Sequence, residues 1–432
     1  MPAPLPEISS LWMDTAARAP RFAAQSGMTQ CDVAIIGGGY TGLSTAHHLA
    51  QAGLAPVVLE ASRIGWGASG RNGGVVSAKF RISSAEIAGV YDLAMARRMA
   101  EIANESVELI GELVQACDIP EAGFMMSGNL KCAHNAVSMD KLRNEQRWLA
   151  ANMHETGLRL QDAAEVAEET GSRDFVGGLL NPHGGLIHPL NFVRGLAESV
   201  HREGVPVFEQ SPVRSMRRDG ERMLLETPTG TVSAGQVVIA TNAYSDLSPA
   251  TDQVQRTLVP FRSAMIATEP LIGPAFDKLL ATKRSYTETR RMMRWFRRAG
   301  DRILFGGRGA FGKADSAAAT DALRRKMIAI FPELASVQIT HRWSGLVGMT
   351  LDSVPHVGRL DPRVSYAVGY NGAGVAMATL MGRYLARIVQ GETPELGLLW
   401  AAHLKKLPFY PVREPAVRMV AGWYQFLDAI GR

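Results

Sequence analysis

Residues 32–74 decide the fold and read DVAIIGGGYTGLSTAHHLAQAGLAPVVLEASRIGWGASGRNGG. Residues 33–36 form a short apolar run, which is typical of a parallel strand buried on both faces. A glycine-rich turn follows, and then a helical stretch over residues 43–51. Residues 56–59 make a second apolar strand, and the acid Glu60 comes directly after it. This order of strand, glycine turn, helix, strand and acid predicts a dinucleotide-binding unit.

The first glycine run places Gly37, Gly39 and Gly42 in the pattern G-x-G-x-x-G immediately before the helix. The first glycine allows a tight bend, the second lets the backbone approach a pyrophosphate, and the third allows close packing of helix and strand. The helix N-terminus presents unpaired N–H groups and a partial positive charge to phosphates. Glu60 follows Gly39 by roughly the 20 residues expected of an acid that binds ribose hydroxyls. Since a carboxylate repels a 2′-phosphate, we expect no NADP in this site.

The length and the composition describe a globular protein of more than one domain. At 432 residues the chain is too long for one ordinary core, so two domains are the default expectation. Hydrophobic residues make up 46% and charged residues 20%, which excludes a disordered or collagen-like chain. The net charge of +5 is small against 46 basic and 41 acidic residues. It suits an anionic substrate or only a solvated basic face, and without a nucleic-acid motif we predict no nucleic-acid partner.

Cysteine usage and the lack of long apolar runs indicate the compartment. Cys31, Cys117 and Cys132 are widely spaced and form no C-x-x-C pair, which argues against disulfides and structural zinc and for a reducing compartment. The N-terminus lacks the basic and apolar regions of a signal peptide. No run of about 18 apolar residues is present, so we predict no membrane span. These features predict a cytoplasmic protein without a metal site.

A second glycine-rich run, residues 67–74, reads GASGRNGG and carries a family resemblance. Together with residues 37–60 it resembles the D-amino-acid-oxidase-like FAD-dependent oxidoreductases, and within them the gamma-glutamylputrescine oxidases. Further segments are similar to those of this subfamily, in the same order along almost the whole chain. They are GLIHPL (185–190), ATNAY (240–244), WSG (343–345) with Thr350, Asp352, Pro355, Gly358 and Arg359, and GYNGAGV (369–375).

The resemblance implies the fold and its division into domains. The implied fold class is α/β, with a glutathione-reductase-related, Rossmann-type FAD-binding domain and a second, antiparallel-sheet substrate domain. We expect the FAD-binding domain to be discontinuous and to combine residues 1–82, 150–256 and 338–432. Residues 83–149 and 257–337 are expected to form the substrate domain.

The resemblance also implies the cofactor, FAD, and the residues that contact it. Residues 65–74 are expected to run beneath the flavin, where a side chain would clash with a flat ring. The loop at Gly372 opens a helix whose dipole would stabilise the negative charge of a reduced flavin. The predicted FAD contacts are Gly37, Gly39, Tyr40, Thr41, Gly42, Glu60, Ala61, Ser62, Arg63, Gly67, Ala68, Ser69, Gly70, Arg71, Asn72, Gly73, Gly74, Val213, Thr241, Gly345, Gly372, Ala373, Gly374 and Val375.

Two departures from the family pattern limit the chemistry that the resemblance implies. Many relatives carry a histidine in the middle of the 372–374 loop, where this chain has Ala373, so a proton or electrostatic role is absent there. Relatives with covalent flavin attach it to a cysteine near the segment that begins at Trp343. This chain has no cysteine beyond Cys132, so we expect a non-covalent FAD.

The activity implied by the resemblance is oxidation of a C–N bond in an amine or amino acid. Hydride passes from the carbon that bears the amine to flavin N5, and the imine product hydrolyses in water. The expected substrates are gamma-glutamylated putrescine or a cyclic or secondary amino acid such as L-pipecolate. The chain has no second unit of strand, G-x-G-x-x-G turn and helix for NAD(P), so we expect reoxidation by O₂ or a quinone-linked carrier. Two alternatives stay open, the flavin subunit of a multi-subunit dehydrogenase and a flavin-binding regulatory protein.

Arginines between residues 290 and 308 are the candidates for binding a substrate carboxylate. On a strand, Arg294 and Phe296 share one face, while Trp295 and Arg297 share the other. Arginines beside apolar residues suit a carboxylate pocket, and a solvated basic edge is the alternative. We therefore predict that Arg294 or Arg308 lines the pocket and anchors the substrate.

Trp343 and His188 lie in two of the segments that carry the resemblance. Trp343 is predicted to form a wall of the substrate site, and a buried tryptophan at a domain junction is the alternative. His188 precedes Pro189 and is interpreted as a hydrogen-bonded structural histidine rather than as a base.

Overall fold

The computed structural model of the protein describes residues 9–310 and 317–407, together with positions 410, 415, 419 and 423. The side chains of residues 275 and 308–310 lie outside this description. The strands are, in chain order, β1 (Gly27–Ile36), β2 (Pro56–Leu59), β3 (Val75–Ser77), β4 (Asn129–Ala133), β5 (Arg159–Asp162), β6 (Gly177–Asn181), β7 (Gly184–Leu186), β8 (Val207–Phe208), β9 (Ser215–Asp219), β10 (Arg222–Glu226), β11 (Gly230–Ile239), β12 (Val259–Thr268), β13 (Ser285–Glu288), β14 (Arg294–Ala299), β15 (Arg302–Ala310), β16 (Ile339–Met349), β17 (His356–Asp361) and β18 (Val364–Val368). The α-helices are α1 (Leu11–Thr15), α2 (Tyr40–Gln51), α3 (Ala68–Arg71), α4 (Ser84–Val90), α5 (Leu93–Ala116), α6 (Ala136–Met153), α7 (Ala163–Thr170), α8 (Pro189–Arg202), α9 (Asp252–Gln255), α10 (Pro274–Asp277), α11 (Ala317–Ile330) and α12 (Gly374–Val389). Two eight-stranded sheets and one two-stranded sheet contain these strands.

The first sheet is built around β1, which pairs in parallel with β2 on one side and with β11 on the other. Its order is β17-β18-β11-β1-β2-β8, and β10 and β9 extend it from β11. Residues 33–36 and the whole of β2 are buried, as expected for parallel strands that are covered on both faces. The predicted α/β fold with a parallel sheet at the first glycine run is confirmed.

Helix α2 follows the glycine turn without a gap. It begins at Tyr40, with Gly39 as its N-cap, whereas the apolar pattern predicted a start at Leu43. The first helical residues, Tyr40 and Thr41, are buried although they are not part of an apolar repeat. Their burial depends on contacts that are distant in sequence, such as a hydrogen bond between the hydroxyls of Thr41 and Tyr370 at 2.6 Å. The helix N-terminus therefore lies directly at the turn.

The second sheet has the order β16-β12-β15-β14-β13-β4-β6-β5. Its pairs are antiparallel except for β4 with β13, which confirms the predicted second sheet and adds one parallel pair. On one face, Phe296 stacks on Tyr286 and Phe305, with ring centroids 5.6 and 5.8 Å apart. Helix α11 covers this face and completes a hydrophobic core there. The opposite face of the sheet, which carries Trp295, borders a cavity.

The hydrogen-bonded sheets cross the predicted domain boundaries. Strands β5 and β6 lie within residues 150–256, yet β6 pairs with β4, and β5 with β6, in the second sheet. Strand β16 begins just inside residues 338–432 and pairs with β12 along its length. The division into two domains therefore stays a prediction. The second sheet includes strands from segments that were predicted to belong to the FAD-binding domain.

The three cysteines, Cys31, Cys117 and Cys132, are buried and free. In the described ranges, no helix is both long and apolar enough to cross a membrane. Among the same residues, no group of three or more His, Cys, Asp and Glu side chains could hold a metal ion.

Candidate active site

The first glycine turn, between β1 and α2, is too tight for side chains. Gly37 has a φ of +108°, a conformation that glycine adopts without the strain that other residues meet. A Cβ atom on Gly42 would lie 1.9 Å from the carbonyl oxygen of Gly37, so helix and turn pack at the limit of contact. Gly39 has no side chain with which to cap the N–H groups of α2. The first-turn N–H groups of α2, other than that of Tyr40, which donates to Ser69, are therefore available to an anion.

Backbone N–H groups hold the carboxylate of Glu60 at this turn. Gly38 donates to Oε2 over 2.8 Å, and Ser62 donates to Oε1 over 2.9 Å. Burial raises the pKa of the Glu60 carboxyl above its ordinary value, and the two backbone hydrogen bonds act in the opposite direction. The acid that ends β2 thus lies beside the turn, where the sequence predicts a contact with ribose.

The second glycine segment, residues 65–74, is joined to the first turn by two hydrogen bonds that Tyr40 donates to Ser69. The backbone N–H of Tyr40 donates to Oγ of Ser69 over 3.1 Å, and the Tyr40 hydroxyl donates to the Ser69 carbonyl over 2.8 Å. Helix α3 gives the segment a single helical turn. Asn72 then holds the chain by hydrogen bonds to three backbone groups of the same segment. The two glycine runs form one continuous backbone surface.

A cavity of about 1280 Å³ opens in front of both glycine runs. This exceeds the roughly 300–1,000 Å³ that is typical of a site for one drug-sized ligand. A Cβ atom on Gly372, which has a φ of +95°, would meet no atom within 4 Å, so this backbone faces open space. The predicted cofactor residues that line the cavity are Gly37, Gly39, Tyr40, Thr41, Glu60, Ala61, Gly67, Ala68, Ser69, Arg71, Asn72, Gly73, Thr241, Gly345, Gly372, Ala373, Gly374 and Val375.

Other predicted cofactor residues are not part of the cavity surface that the described residues form. They are Gly42, Ser62, Arg63, Gly70, Gly74 and Val213. A Cβ atom on Gly70 would lie 1.9 Å from the carbonyl oxygen of Gly65, so this glycine, like Gly42, permits a close turn. Val213 is fully buried in the core of the first sheet. Their contact with a cofactor stays a prediction, and the structure gives Gly42, Gly70 and Val213 a packing role.

Helix α12 brings its N-terminus to the same cavity. Asn371, with a φ of +53°, accepts a hydrogen bond from the backbone N–H of Thr350 over 3.0 Å and donates to the Gly369 carbonyl over 2.6 Å. The loop before α12 is therefore fixed by a side chain inside it. The predicted loop at residues 372–374 and the first glycine turn therefore line the same cavity.

The opposite side of the cavity is the face of the second sheet that carries Trp295. Strand pairing sets Trp295 opposite Thr287 on β13 and Gly306 on β15, and Gly306 opposite Met265 on β12. Residues directly opposite on paired strands share a face, and Thr287, Trp295 and Met265 all line the cavity. A Cβ atom added to Gly306 would lie 2.0 Å from the Trp295 ring, and one added to Gly73 would lie 2.7 Å from the same ring. The ring thus fills the space between the sheet and the second glycine segment.

Arg294 lies on the other face of β14, which differs from the prediction that it lines the pocket. Its Nε is 3.2 Å from Oε1 of Glu288, and Arg290 pairs with the same carboxylate. Burial raises the pKa of the Glu288 carboxyl, and the two arginines act in the opposite direction. Glu288 borders the cavity at the end of β13, but Arg294 is not among the lining residues of the described chain. Strand alternation defines two faces, and only the pairing of distant strands decides which face meets the cavity.

Arg308 and Trp343 differ in how the structure places them. Arg308 occupies the register position opposite Ser263, which lines the cavity, and its side chain lies outside the described residues. Its role as a carboxylate anchor stays a prediction. Trp343 is 1% exposed and donates from Nε1 to the Arg71 carbonyl over 2.9 Å. It lies behind the second glycine segment, in agreement with the alternative of a buried tryptophan at a junction.

Sequence reasoning missed an aromatic group beside the second glycine segment. The Arg71 guanidinium lies 4.4 Å from the centre of the Trp66 ring, and that ring meets Tyr244 edge-to-face at 5.8 Å. The Tyr244 hydroxyl accepts a hydrogen bond from the backbone N–H of Leu346 over 2.9 Å. Trp66, Tyr244 and Trp295 line the cavity. Tyr244 ends the segment ATNAY, which was the available signal for it, whereas Trp295 had only strand alternation.

The cavity also reaches a charged region, here called the mouth, formed by Lys131, Lys141, Glu145 and Trp148. Nζ of Lys131 lies 3.0 Å from Oε2 of Glu145, and both side chains are about half exposed. Lys131 is opposite Thr287, which is opposite Trp295. Because neighbouring strands lie about 4.8 Å apart, Lys131 is roughly 10 Å from Trp295 along one face of the sheet.

Comparison with known proteins gives one family along most of the chain. The family model described as FAD dependent oxidoreductase matches residues 32–388. Gamma-glutamylputrescine oxidoreductase of Escherichia coli K12 is 33% identical over 412 residues, which cover 93% of each chain. A probable oxidoreductase, OrdL, of Haemophilus influenzae is 31% identical over 98% of this chain and 97% of its own. The crystal structure of glycine oxidase from Geobacillus kaustophilus has a TM-score of 0.74 at 20% identity and covers 88% of this chain and 100% of its own.

Proposed function

Because the chain belongs to the family of FAD-dependent oxidoreductases, we propose that FAD lies along the surface built by its two glycine runs. The protein is an FAD-dependent oxidoreductase that acts on CH–NH or CH–NH₂ donors. Bound there, FAD would supply the acceptor for a hydride from the carbon that bears the substrate amine. The fit rests on a turn in which Gly37 and Gly42 leave no room for side chains and on open space in front of Gly372.

Each part of the glycine surface has its own proposed contact. The N-terminus of α2 at Gly39 receives the pyrophosphate, and Glu60 accepts hydrogen bonds from ribose hydroxyls. Residues 67–73 follow the flavin, and the N-terminus of α12 faces it with the positive end of the helix dipole. None of the three cysteines lines the cavity, in line with the proposal that FAD is held non-covalently.

The sheet side of the cavity favours the neutral form of the substrate amine. Trp295 and Met265 present apolar groups beside the second glycine segment. Low polarity disfavours the charged form of an amine, so these side chains lower the pKa of a bound substrate ammonium. The neutral amine is the form whose C–H bond can be oxidised. On this proposal, the wall excludes water and holds the amine neutral, and no side chain has to act as a base.

The substrate that this cavity suits best is a long amine with a charged far end, of which gamma-glutamylputrescine is the leading example. The observation that carries this proposal is the reach of the cavity from Trp295 to the mouth at Lys131 and Glu145. A substrate of this kind places its amine at the flavin and its amino-acid group roughly 10 Å away, beside charges of both signs. The named E. coli relative supports the same substrate class.

A second candidate is a cyclic or secondary amino acid such as L-pipecolate. The position of Arg308 opposite the cavity residue Ser263 favours it, since a short substrate needs an anchor for its carboxylate close to the flavin. Such a substrate would leave the mouth unused. The two candidates therefore differ in which end of the cavity they require.

Anaerobic mixing of the purified yellow protein with single substrates separates these candidates. We expect gamma-glutamylputrescine to bleach the visible flavin absorbance at low concentration, putrescine only at much higher concentration, and L-pipecolate and glycine slowly or not at all. Rapid bleaching by L-pipecolate instead would favour the second candidate. Bleaching by none of the four would contradict the proposed substrates.

The electron acceptor is proposed to be O₂ or a quinone-linked carrier. Admission of air to the bleached protein gives the measurement, because rapid return of the yellow colour indicates an oxidase. Slow return with O₂ and fast return with a soluble quinone would indicate a dehydrogenase. Partner chains that co-purify with such a protein would favour the flavin subunit of a larger assembly.

A further inference from the structure

Two buried indoles hold the second glycine segment from behind. Nε1 of Trp343 donates to the Arg71 carbonyl over 2.9 Å, and Nε1 of Trp12 donates to the Asn72 carbonyl over 2.8 Å. The two rings also meet each other edge-to-face, with centroids 6.5 Å apart. Trp12 is 2% exposed and Trp343 is 1% exposed, so neither bond competes with solvent. Arg71 and Asn72 themselves line the cavity.

A buried arginine holds the next two residues of the same segment. Nη1 of Arg297 donates to the carbonyls of Gly73, Gly74 and Ile187 over 3.0–3.1 Å, and the guanidinium lies 5.5 Å from the Trp12 ring centre. Burial lowers the pKa of the Arg297 guanidinium to about 9, which still leaves it protonated at pH 7. Its hydrogen bonds are therefore charge-assisted and stronger than those between neutral groups.

Four successive carbonyl oxygens, at residues 71–74, thus have side-chain donors from α1, β14 and β16. The donor on α1 lies outside the family match, which begins at residue 32. Helix α1 is fastened to the rest of the chain by Asp14, whose carboxylate lies 2.7 Å from Nε2 of His341, and by Thr15, whose hydroxyl lies 3.0 Å from Nε2 of His188. Residues 12–15 therefore help to support the site, although they lie outside the family match.

We propose that Trp12, Arg297 and Trp343 are positioning residues that set the second glycine segment in the shape that binds FAD. Their donors occupy the carbonyls of residues 71–74, and none of the three side chains lines the cavity formed by the described residues, which leaves one backbone arrangement facing the cofactor. A segment that is ordered before binding loses less entropy when FAD arrives. Since the donors come from three distant parts of the chain, docking of the N-terminal helix and of the second sheet prepares the cofactor site.

Titration of apoprotein with FAD tests this proposal, with quenching of flavin fluorescence as the signal. We expect Arg297→Met to raise the Kd for FAD about tenfold or more, because charge-assisted hydrogen bonds to two residues of the segment are lost. Arg297→Lys keeps the charge without the planar fork and should give an intermediate Kd. Trp12→Phe keeps a ring and removes one donor, and we expect a rise of about threefold to tenfold.

Melting temperatures of apoprotein and holoprotein separate positioning from general support. Weaker FAD binding reduces the stabilisation that FAD confers, so the gap between the two melting temperatures should shrink in Arg297→Met and Trp12→Phe. Arg222→Met is the matched control, since Arg222 also donates to backbone carbonyls, those of Cys31 and Ser233, but lies outside the cavity surface of the described residues. It should lower both melting temperatures equally and leave Kd unchanged.

A Kd within twofold of the parent protein for both Arg297→Met and Trp12→Phe would overturn the proposal, even if both variants melt earlier. If Arg297→Met does not fold, Trp12→Phe decides, because the change leaves the packing of the aromatic ring in place. An unchanged Kd for Trp12→Phe would then exclude a positioning role for α1.

Discussion

The two sides of the cavity are built from different parts of the chain. The glycine side consists mostly of backbone, in which residues such as Gly37 and Gly42 touch other main-chain atoms directly. The sheet side consists of side chains, such as Trp295 and Met265, that project from strands with ordinary pairing. An added atom on the backbone side must displace the main chain, whereas a changed side chain on the sheet side leaves the strands in place. We therefore expect cofactor binding to be sensitive to single methyl groups and substrate choice to be adjustable.

Gly42→Ala should have the largest effect, since its Cβ would lie 1.9 Å from the carbonyl oxygen of Gly37. Overpacking of this kind costs roughly 1–3 kcal/mol or more, so we expect the Kd for FAD to rise about tenfold to a hundredfold. Fluorescence titration of the apoprotein measures it. Gly89→Ala is the control, because a Cβ on Gly89 would meet no atom within 4 Å. Equal FAD affinity in both variants would refute the view that this side is built from tightly packed backbone.

The backbone side was also the side that the sequence could predict. The pattern at Gly37, Gly39 and Gly42 reflects local rules of turn and helix packing, so the motif specifies its own geometry. The family and the FAD cofactor followed from such motifs and are confirmed. The start of α2 at Tyr40 was missed, because its first turn is buried by distant contacts such as that with Tyr370 rather than by an apolar repeat.

Glu60→Gln should have the next largest effect on cofactor binding. A charge-assisted hydrogen bond is worth roughly 1.5–3 kcal/mol, so loss of the carboxylate should raise the Kd for FAD about tenfold if Glu60 binds ribose. The exposed carboxylate of Glu221 provides the control, and Glu221→Gln should leave the Kd unchanged. An unaltered Kd in Glu60→Gln would remove ribose binding from this acid.

The same substitution has a predicted signature in the stability of the apoprotein. Because burial raises the pKa of Glu60 in the folded chain above its unfolded value, its favourable contribution is present at low pH and is lost as the pH rises through the folded pKa. Glu60→Gln removes this dependence. As the pH rises above about 4, near the ordinary pKa of a glutamate, the melting temperature of the variant apoprotein should therefore rise relative to the parent. Parallel curves would show that the folded pKa is not raised.

The two faces of β14 and its neighbour β15 give the third prediction, for a substrate that carries a carboxylate. Arg308→Met should raise the KM for such a substrate about tenfold, because Arg308 is opposite the cavity residue Ser263. Arg294→Met should leave KM within about twofold and lower the free energy of unfolding by roughly 1–3 kcal/mol, since buried Glu288 loses a partner. Steady-state kinetics and urea unfolding measure the two effects. The reverse pattern, a raised KM in Arg294→Met alone, would return the anchor to Arg294.

The sequence could not predict which face of β14 borders the cavity, and the reason is physical. Alternation along β14 separates Arg294 from Trp295, but the cavity is on the side where β13, β15 and β12 also place Thr287, Gly306 and Met265. That side is decided by pairing between strands far apart in sequence and by α11, which covers the other face. Trp343 was ambiguous for the same reason, since its place behind Arg71 depends on the pairing of β16 with β12.

The smallest expected effect belongs to the mouth, where side chains are half exposed. Lys131→Gln removes the positive partner of Glu145, and exposed ion pairs contribute only about 0–1 kcal/mol. We therefore expect KM for gamma-glutamylputrescine to rise about threefold and KM for putrescine, which lacks the amino-acid group, to stay unchanged. Lys278→Gln, at an exposed lysine outside the described cavity surface, is the control. If Lys131→Gln changes KM for both amines equally, the mouth does not bind the amino-acid group at the far end of the substrate. The sheet side would then select only the substrate group beside Trp295.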